Sequence, residues 1–171
     1  QAADSQLRIF TMAPKHVFGV NQNPEGQWRE SSAESYTEFA AIGFHLGREL
    51  RAETGVPIGF VSTPVDGTAI ETWTPSKVYN LPGDQIDVYS SDPLDSYREL
   101  VWSPRTPFVP HVHYDGMIWP LASVRFRATV WYQGESNVEN FDRYEEQLVG
   151  FVEDWRNHFR DPSMPFFVLQ I

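Results

Sequence analysis

The chain has 171 residues, 41% of them hydrophobic and 21% charged, which is typical of one globular domain and excludes a disordered or collagen-like chain. Lys and Arg number 13 against 23 Asp and Glu, giving a net charge of −10. Such a surface repels phosphate backbones and anionic lipids, so we expect neither nucleic acid nor a membrane as a partner. The absence of cysteine excludes disulfides, thiolate metal sites and a cysteine nucleophile.

Apolar spacing and turn signals predict three elements in the first third of the chain. Residues 7–12 form a short β-prone run that ends before a proline, which predicts a strand. Residues 16–29 carry Asn-Pro and Glu-Gly turn signals and fit a surface excursion or a hairpin. Ser31, with a glutamate three residues later, has the pattern of a capping box ahead of a helix over about 34–53, which Gly55 closes.

The rest of the chain repeats the order strand, helix, strand after an interruption. Residues 57–61 are a short continuous apolar run, typical of a strand that is buried on both faces of a parallel sheet. Prolines recur through about 74–112, which we interpret as a loop-rich insertion. A second buried strand over 128–132, a helix over about 140–158 and a strand over 166–171 follow. The order predicts an α/β layer fold with a mostly parallel sheet.

Ligands of open α/β sheets bind where the strands end, so the two loops that follow the buried strands are candidate sites. In the first loop, Asp66-Gly67 predicts a turn with an outward backbone N–H, and Thr68–Trp73 a short helix. Exposed backbone donors there suit an oxyanion, although a plain connection fits as well. In the second, Gln133 and Glu135 are two residues apart, which places both on one side of a strand end, whereas Asn137 could cap the following helix.

Two histidines in the sequence PHVHYDG are further candidates. Alternation places His111 and His113 on one face of an extended segment. They are candidates for substitute bases or for metal ligands. A metal requires a third ligand, and only Asp115 is near in the sequence. The pattern therefore favours a substrate-lining or simply exposed role for these histidines over metal binding.

These loops and their surroundings resemble the sialate O-acetylesterases and related carbohydrate acetylesterases of the SGNH-hydrolase superfamily. The resemblance extends through most of the chain in order and spacing. The matching stretches are GVPIGFVST (55–63), DGTAIETW (66–73), YDGMIWPLA (114–122), TVWYQGESN (129–137) and RYEEQLVGFVEDWR with PFFVLQI (143–171), together with LRIF (7–10) and FHLGREL (44–50).

The resemblance implies a three-layer α/β/α sandwich with a mostly parallel flavodoxin-like sheet, here incomplete, and hydrolysis of acetyl esters on sugars without a cofactor. It also implies a secreted or periplasmic enzyme. The family's Gly-Gln-Ser-Asn motif with its serine nucleophile and its late Asp-x-x-His pair are absent from these residues. We therefore expect a trimmed piece, with a missing or companion segment that carries the serine, the aspartate and the histidine.

The residues that match the family's motifs belong to the oxyanion side of the site. The N–H of Gly67 is one predicted donor, although Asp66 stands where the family has another glycine. The amide of Gln133 is a second predicted donor, Glu135 is expected to hold neighbouring donors, and Asn137 is either a donor or a helix cap. Substrate contacts are predicted for four residues: Asp66, Thr68, Trp73 and His113.

The implied strand order 2-1-3-4-5 places the strand that precedes the nucleophile between the strands at 7–12 and 57–61. We therefore expect a gap in mid-sheet, which the companion segment fills. Two alternative functions remain. One is a non-catalytic carbohydrate-binding protein that stacks sugars on exposed Trp73, Trp102 and Trp119. The other is an acetylxylan esterase of the same superfamily.

Overall fold

The computed structural model describes residues 3–15, 21–33, 35, 39–75 and 110–169. The chain divides into two compact units, and each is described by itself. The first comprises Gln1–Pro14 and Asn23–Val65, and the second comprises Lys15–Gln22 and Asp66–Ile171. The organisation as a single domain stays a prediction.

The first unit is built on a three-stranded sheet. Its strands are β1 (Asp4–Met12), β2 (Gly26–Ser31) and β3 (Ile58–Ser62), in the order β2-β1-β3. β1 and β2 pair antiparallel, while β1 and β3 pair in parallel. β2 begins inside the 16–29 stretch but pairs with β1, and residues 16–20 lie outside the described residues, so the excursion or hairpin expected there stays a prediction. The parallel register runs from Leu7 opposite Ile58 to Thr11 opposite Ser62.

Two predictions about this sheet are wrong. The strands at 7–12 and 57–61 are direct neighbours, so there is no gap between them for another strand to fill. β3 was also expected to be buried on both faces, yet its residues are half-buried and Gly59 is exposed. In the described sheet β3 pairs on one side only, and a Cβ at Gly59 would lie 3.4 Å from the Trp28 indole.

Helix α1 (Ala41–Thr54) follows β2 and ends as predicted. Gly55 has φ = 68°, and its N–H donates to the Arg51 carbonyl at 2.9 Å, which is a left-handed C-cap. The start of the helix was predicted too early. Ser31 is the last, buried residue of β2 rather than a cap, and Ser32 and Ser35 bond each other's backbone N–H through their hydroxyls in the turn that follows.

The core of the first unit lies between α1 and the sheet. It consists of four buried side chains and two partly buried ones: Leu7, Ile9, Phe39, Phe44, Ile58 and Phe60. A Cβ at Gly47 of α1 would lie 2.5 Å from the Leu7 side chain. A side chain at this position would displace the Leu7 and Phe60 side chains, so glycine lets α1 pack closely on the sheet.

The second unit contains β4 (Thr129–Tyr132), helix α2 (Phe141–His158) and β5 (Phe166–Leu169). β4 and β5 pair in parallel, and all three elements lie where the sequence predicted them. Aromatic rings fill the space under α2, because Phe151 packs 4.3 Å from Trp131 and 4.7 Å from Trp155 between ring centroids. The final strand was predicted to continue to residue 171, which lies outside the described residues.

Short helical turns connect these elements. A 3-10 turn at Ile70–Trp73 confirms the predicted short helix. A π-helical turn at Tyr114–Ile118, a 3-10 turn at Trp119–Leu121 and a 3-10 turn at Glu135–Asn140 follow. Most of the predicted insertion, residues 76–109, lies outside the described residues. No helix in the described part of the chain combines the length and the apolar character that crossing a membrane requires.

Candidate functional site

The Asp66-Gly67 turn presents an exposed backbone amide. Gly67 has φ = 67°, a left-handed conformation that glycine adopts without strain, and a Cβ there would meet no atom within 4 Å. The conformation, and not a lack of space, therefore favours glycine. Among the described residues the Gly67 N–H donates to no protein acceptor, so it is available to a ligand.

Gln133 links its own loop to the residue after Gly67. Its Nε2 donates to the Thr68 carbonyl at 2.9 Å and to Asn137 Oδ1 at 2.7 Å. Its Oε1 accepts from the Tyr144 hydroxyl at 2.9 Å. Because an amide nitrogen has two hydrogens, these bonds use both of them. The donor role predicted for Gln133 stays a prediction, and this geometry favours a positioning role.

Asn137 is 2% exposed and joins the same network. Its Oδ1 also accepts from the Ile70 N–H at 3.0 Å, and its Nδ2 donates to a carboxylate oxygen of Glu71 at 2.8 Å. A backbone N–H can only donate and a carboxylate can only accept, so the partners fix which end of the amide is oxygen. Asn137, which lies in the second predicted loop, therefore holds the first residue of the 3-10 turn Ile70–Trp73.

Glu71 and Gln147 are site residues that the sequence analysis missed. The second carboxylate oxygen of Glu71 accepts from Gln147 Nε2 at 2.7 Å. Gln147 is a buried polar residue on the apolar face of α2 that also carries Phe151 and Trp155. A polar side chain in an apolar stripe was the available signal, but nothing in the spacing indicated Glu71 as its partner.

Tyr144, on α2, joins the hydrogen-bond network through its hydroxyl. Its hydroxyl accepts from Trp131 Nε1 at 3.2 Å and lies 3.0 Å from the Gln133 carbonyl oxygen. Burial raises the pKa of Tyr144, as do the nearby charges of Glu135 and Glu71, against the lowering effect of the Trp131 bond. The hydroxyl therefore remains protonated at neutral pH and can donate to Gln133.

Three of the four residues predicted to contact substrate are buried. Trp73 is 3% exposed, donates through Nε1 to Thr68 Oγ1 at 3.0 Å, and stacks on the fully buried His113 with ring centroids 4.8 Å apart. Asp66, the fourth, is exposed. The contacts with substrate stay predictions. The exposure expected of Trp73 in a sugar-binding protein is wrong, whereas Trp119 is 40% exposed and Trp102 lies outside the described residues.

His111 is not a simple surface residue. Its Nδ1 lies 3.1 Å from Asp115 Oδ2, with both side chains largely buried, and its backbone has φ = 58°, which is left-handed for a non-glycine residue. Its N–H donates to the Glu71 carbonyl at 2.9 Å. In the described part of the chain, no three His, Asp or Glu side chains gather closely enough to hold a metal ion.

The structure thus brings Thr68, Gln133 and Asn137 together, with Gly67 beside them. Glu135 is exposed at the first position of its 3-10 turn. Its carboxylate forms no hydrogen bond with the described residues. The first loop and the second are therefore joined by side-chain bonds, and their exposed residues include Asp66, Gly67 and Glu135.

Comparison with known proteins gives consistent matches. The family model for carbohydrate esterases described as sialic acid-specific acetylesterases matches residues 1–171. Sialate O-acetylesterases from Pongo abelii and Homo sapiens each align with 99% of this chain, and each is 29% identical to it over the aligned residues. The chain spans 34% of either relative's length. The crystal structure of a carbohydrate acetylesterase from Xanthomonas citri superposes on this chain with a TM-score of 0.77 and 28% sequence identity. The match covers 98% of this chain and 34% of the chain in the crystal structure. The predicted α/β class, with incomplete sheets, is confirmed.

Proposed function

The chain belongs to the sialic acid-specific acetylesterase family of carbohydrate esterases, and from that premise we propose that it serves in a sialate O-acetylesterase-like enzyme. The reaction is hydrolysis of acetyl esters on sugars, by a serine nucleophile that lies outside these 171 residues. An aspartate and histidine, also outside them, supply the base and its orienting carboxylate. Within the chain the Asp66-Gly67 turn and the 133–137 loop supply the oxyanion side of the site.

The observation that carries this proposal is the exposed Gly67 amide. Attack of a serine oxygen on the acetyl carbonyl moves negative charge onto the carbonyl oxygen, and a backbone N–H that is already oriented stabilises that charge without reorganisation. The Gly67 N–H is exposed and unused among the described residues. One such donor is worth about 3 kcal/mol in the transition state.

Gln133 and Asn137 fix the backbone that follows this donor. Gln133 holds the Thr68 carbonyl, and Asn137 holds the Ile70 N–H, so the turn is fixed on the side of Gly67 that leads into the 3-10 turn. A fixed turn keeps its amide in place at the moment of reaction. We assign Glu135, whose carboxylate is exposed, to holding the donors of the segment that carries the serine.

The test is ester hydrolysis by the full-length protein. We expect turnover of p-nitrophenyl acetate and of O-acetylated sialic acid, with complete loss after treatment with a serine-directed organophosphate. Acetylated xylo-oligosaccharides, assayed in parallel, separate a sialate esterase from an acetylxylan esterase. Binding of sugars without any release of acetate would instead support the non-catalytic alternative, and activity that resists the organophosphate would contradict the serine mechanism.

Asp66 provides a prediction specific to this chain. Its exposed carboxylate precedes Gly67. Its negative charge therefore disfavours the negative charge that develops on a carbonyl oxygen bound by the Gly67 N–H. Replacement by asparagine removes the charge and keeps the shape, so we expect D66N to raise kcat for an acetyl ester about threefold, a modest gain because water screens exposed charges. D66E keeps the charge and serves as the control. A D66N enzyme no faster than D66E would show that the carboxylate turns away from the reacting oxygen.

A further inference from the structure

Glu71 joins four segments of the second unit. Its carboxylate accepts from Asn137 Nδ2 at 2.8 Å and from Gln147 Nε2 at 2.7 Å, one bond on each oxygen. Its backbone carbonyl accepts from the His111 N–H at 2.9 Å. The 3-10 turn, the 133–137 loop, α2 and the segment at 111 therefore meet at one residue.

The carboxylate determines how the amides beside it are oriented. Both of its oxygens accept only, so the Nδ2 group of Asn137 must face Glu71. Asn137 Oδ1 is thereby directed to the Ile70 N–H and to Gln133 Nε2. If Asn137 turned over, its NH₂ group would face these two donors, and Gln133 would lose one of the two acceptors that fix it.

We infer that Glu71 is a positioning residue for ester hydrolysis, acting through Asn137 and Gln133 on the turn that carries the Gly67 amide. The chain of bonds runs from the Glu71 carboxylate to Asn137 Nδ2, from Asn137 Oδ1 to Gln133 Nε2, and from Gln133 Nε2 to the Thr68 carbonyl. Its catalytic consequence rests on the proposed function. Its effect on the amides is a property of the fold and can be measured without substrate.

Replacement of Glu71 by glutamine should largely preserve the network. The amide oxygen of the introduced side chain can accept from Asn137, leaving its NH₂ group toward Gln147. In the described part of the structure the Gln147 Oε1 forms no hydrogen bond, so a turn of that amide presents an acceptor to the new NH₂ group. Alanine offers no acceptor to either amide.

The experiment compares E71A, E71Q and T72V in the full-length protein. We expect E71A to lower kcat for p-nitrophenyl acetate about tenfold with KM within about twofold, and E71Q to remain within about threefold of wild type. T72V removes the bond from the Thr72 hydroxyl to the Ala69 carbonyl in the same buried turn and leaves the amide chain intact, so we expect kcat near that of wild type. Equal kcat values for wild type and E71A, or for E71A and E71Q, would overturn the inference.

Hydrogen exchange at the Ile70 amide tests the same inference without turnover. Its protection depends on Asn137 Oδ1, so we expect exchange about tenfold faster in E71A and little changed in E71Q and T72V. If E71A does not fold, E71D replaces it, because the shorter side chain withdraws both acceptors, and the same acceleration is expected. Unchanged exchange would overturn the role of Glu71 even in an active enzyme, whereas a wild-type protein without esterase activity but with the expected exchange pattern would refute only the proposed function.

Discussion

Replacement of Gln133 by alanine should lower kcat for an acetyl ester about a hundredfold, while KM changes little. The side chain donates to the Thr68 carbonyl and to Asn137 and accepts from Tyr144, so its loss releases the turn that follows Gly67 and leaves three polar partners to find others. A hundredfold loss corresponds to about 2.7 kcal/mol of transition-state stabilisation. The measurement is steady-state kinetics of the full-length protein with p-nitrophenyl acetate.

The matched variant is Q133E, which has nearly the same shape. Glutamate still offers an acceptor to the Tyr144 hydroxyl, but it places a carboxylate oxygen against the Thr68 carbonyl and against Asn137 Oδ1, where the wild-type amide donates. We expect Q133E to be at least as slow as Q133A. A Q133E enzyme with wild-type kcat would show that donation by Nε2 is unimportant, and a Q133A enzyme with normal kcat but raised KM would indicate a role in substrate binding.

Replacement of Phe151 by alanine should be the most destabilising of the substitutions considered. The side chain is fully buried on α2, with its ring 4.3 Å from Trp131, 4.7 Å from Trp155 and 5.9 Å from Phe166 between centroids. Truncation of a phenylalanine in such a setting costs about 3–5 kcal/mol, from lost burial together with the cavity that remains. Denaturant unfolding followed by tryptophan fluorescence measures this loss, since Trp131 and Trp155 border the cavity.

Phe141 provides the control on the same helix. It is the first residue of α2 and is 77% exposed, so F141A removes the same atoms from a ring that contributes little to the core. We expect its unfolding free energy to lie within about 0.5 kcal/mol of wild type. Equal destabilisation by F151A and F141A would mean that the packing between α2, β4 and β5 is not what stabilises the second unit.

The sequence alone determined the elements whose signals are local. The apolar stripe at helical spacing predicted α2, because a helix on a core must place apolar residues on one face. Gly55 predicted the end of α1, because the left-handed cap conformation strains any residue with a Cβ. The apolar runs before the two loops predicted β3 and β4. In each case the cause lies within a few residues of its effect.

Only the tertiary structure decided the arrangements that depend on distant partners. The capping-box pattern at Ser31 gave way to strand pairing, because ladder bonds from β1 hold that residue in β2. The direct pairing of β1 with β3 depends on residues 51 positions apart, such as Leu7 and Ile58. Trp73 is buried because His113 stacks on it, and Glu71 matters because Asn137 and Gln147 reach it from far along the chain. A hydrogen bond requires two groups within about 3 Å, and local periodicity carries no information about which distant residue folding will bring that close.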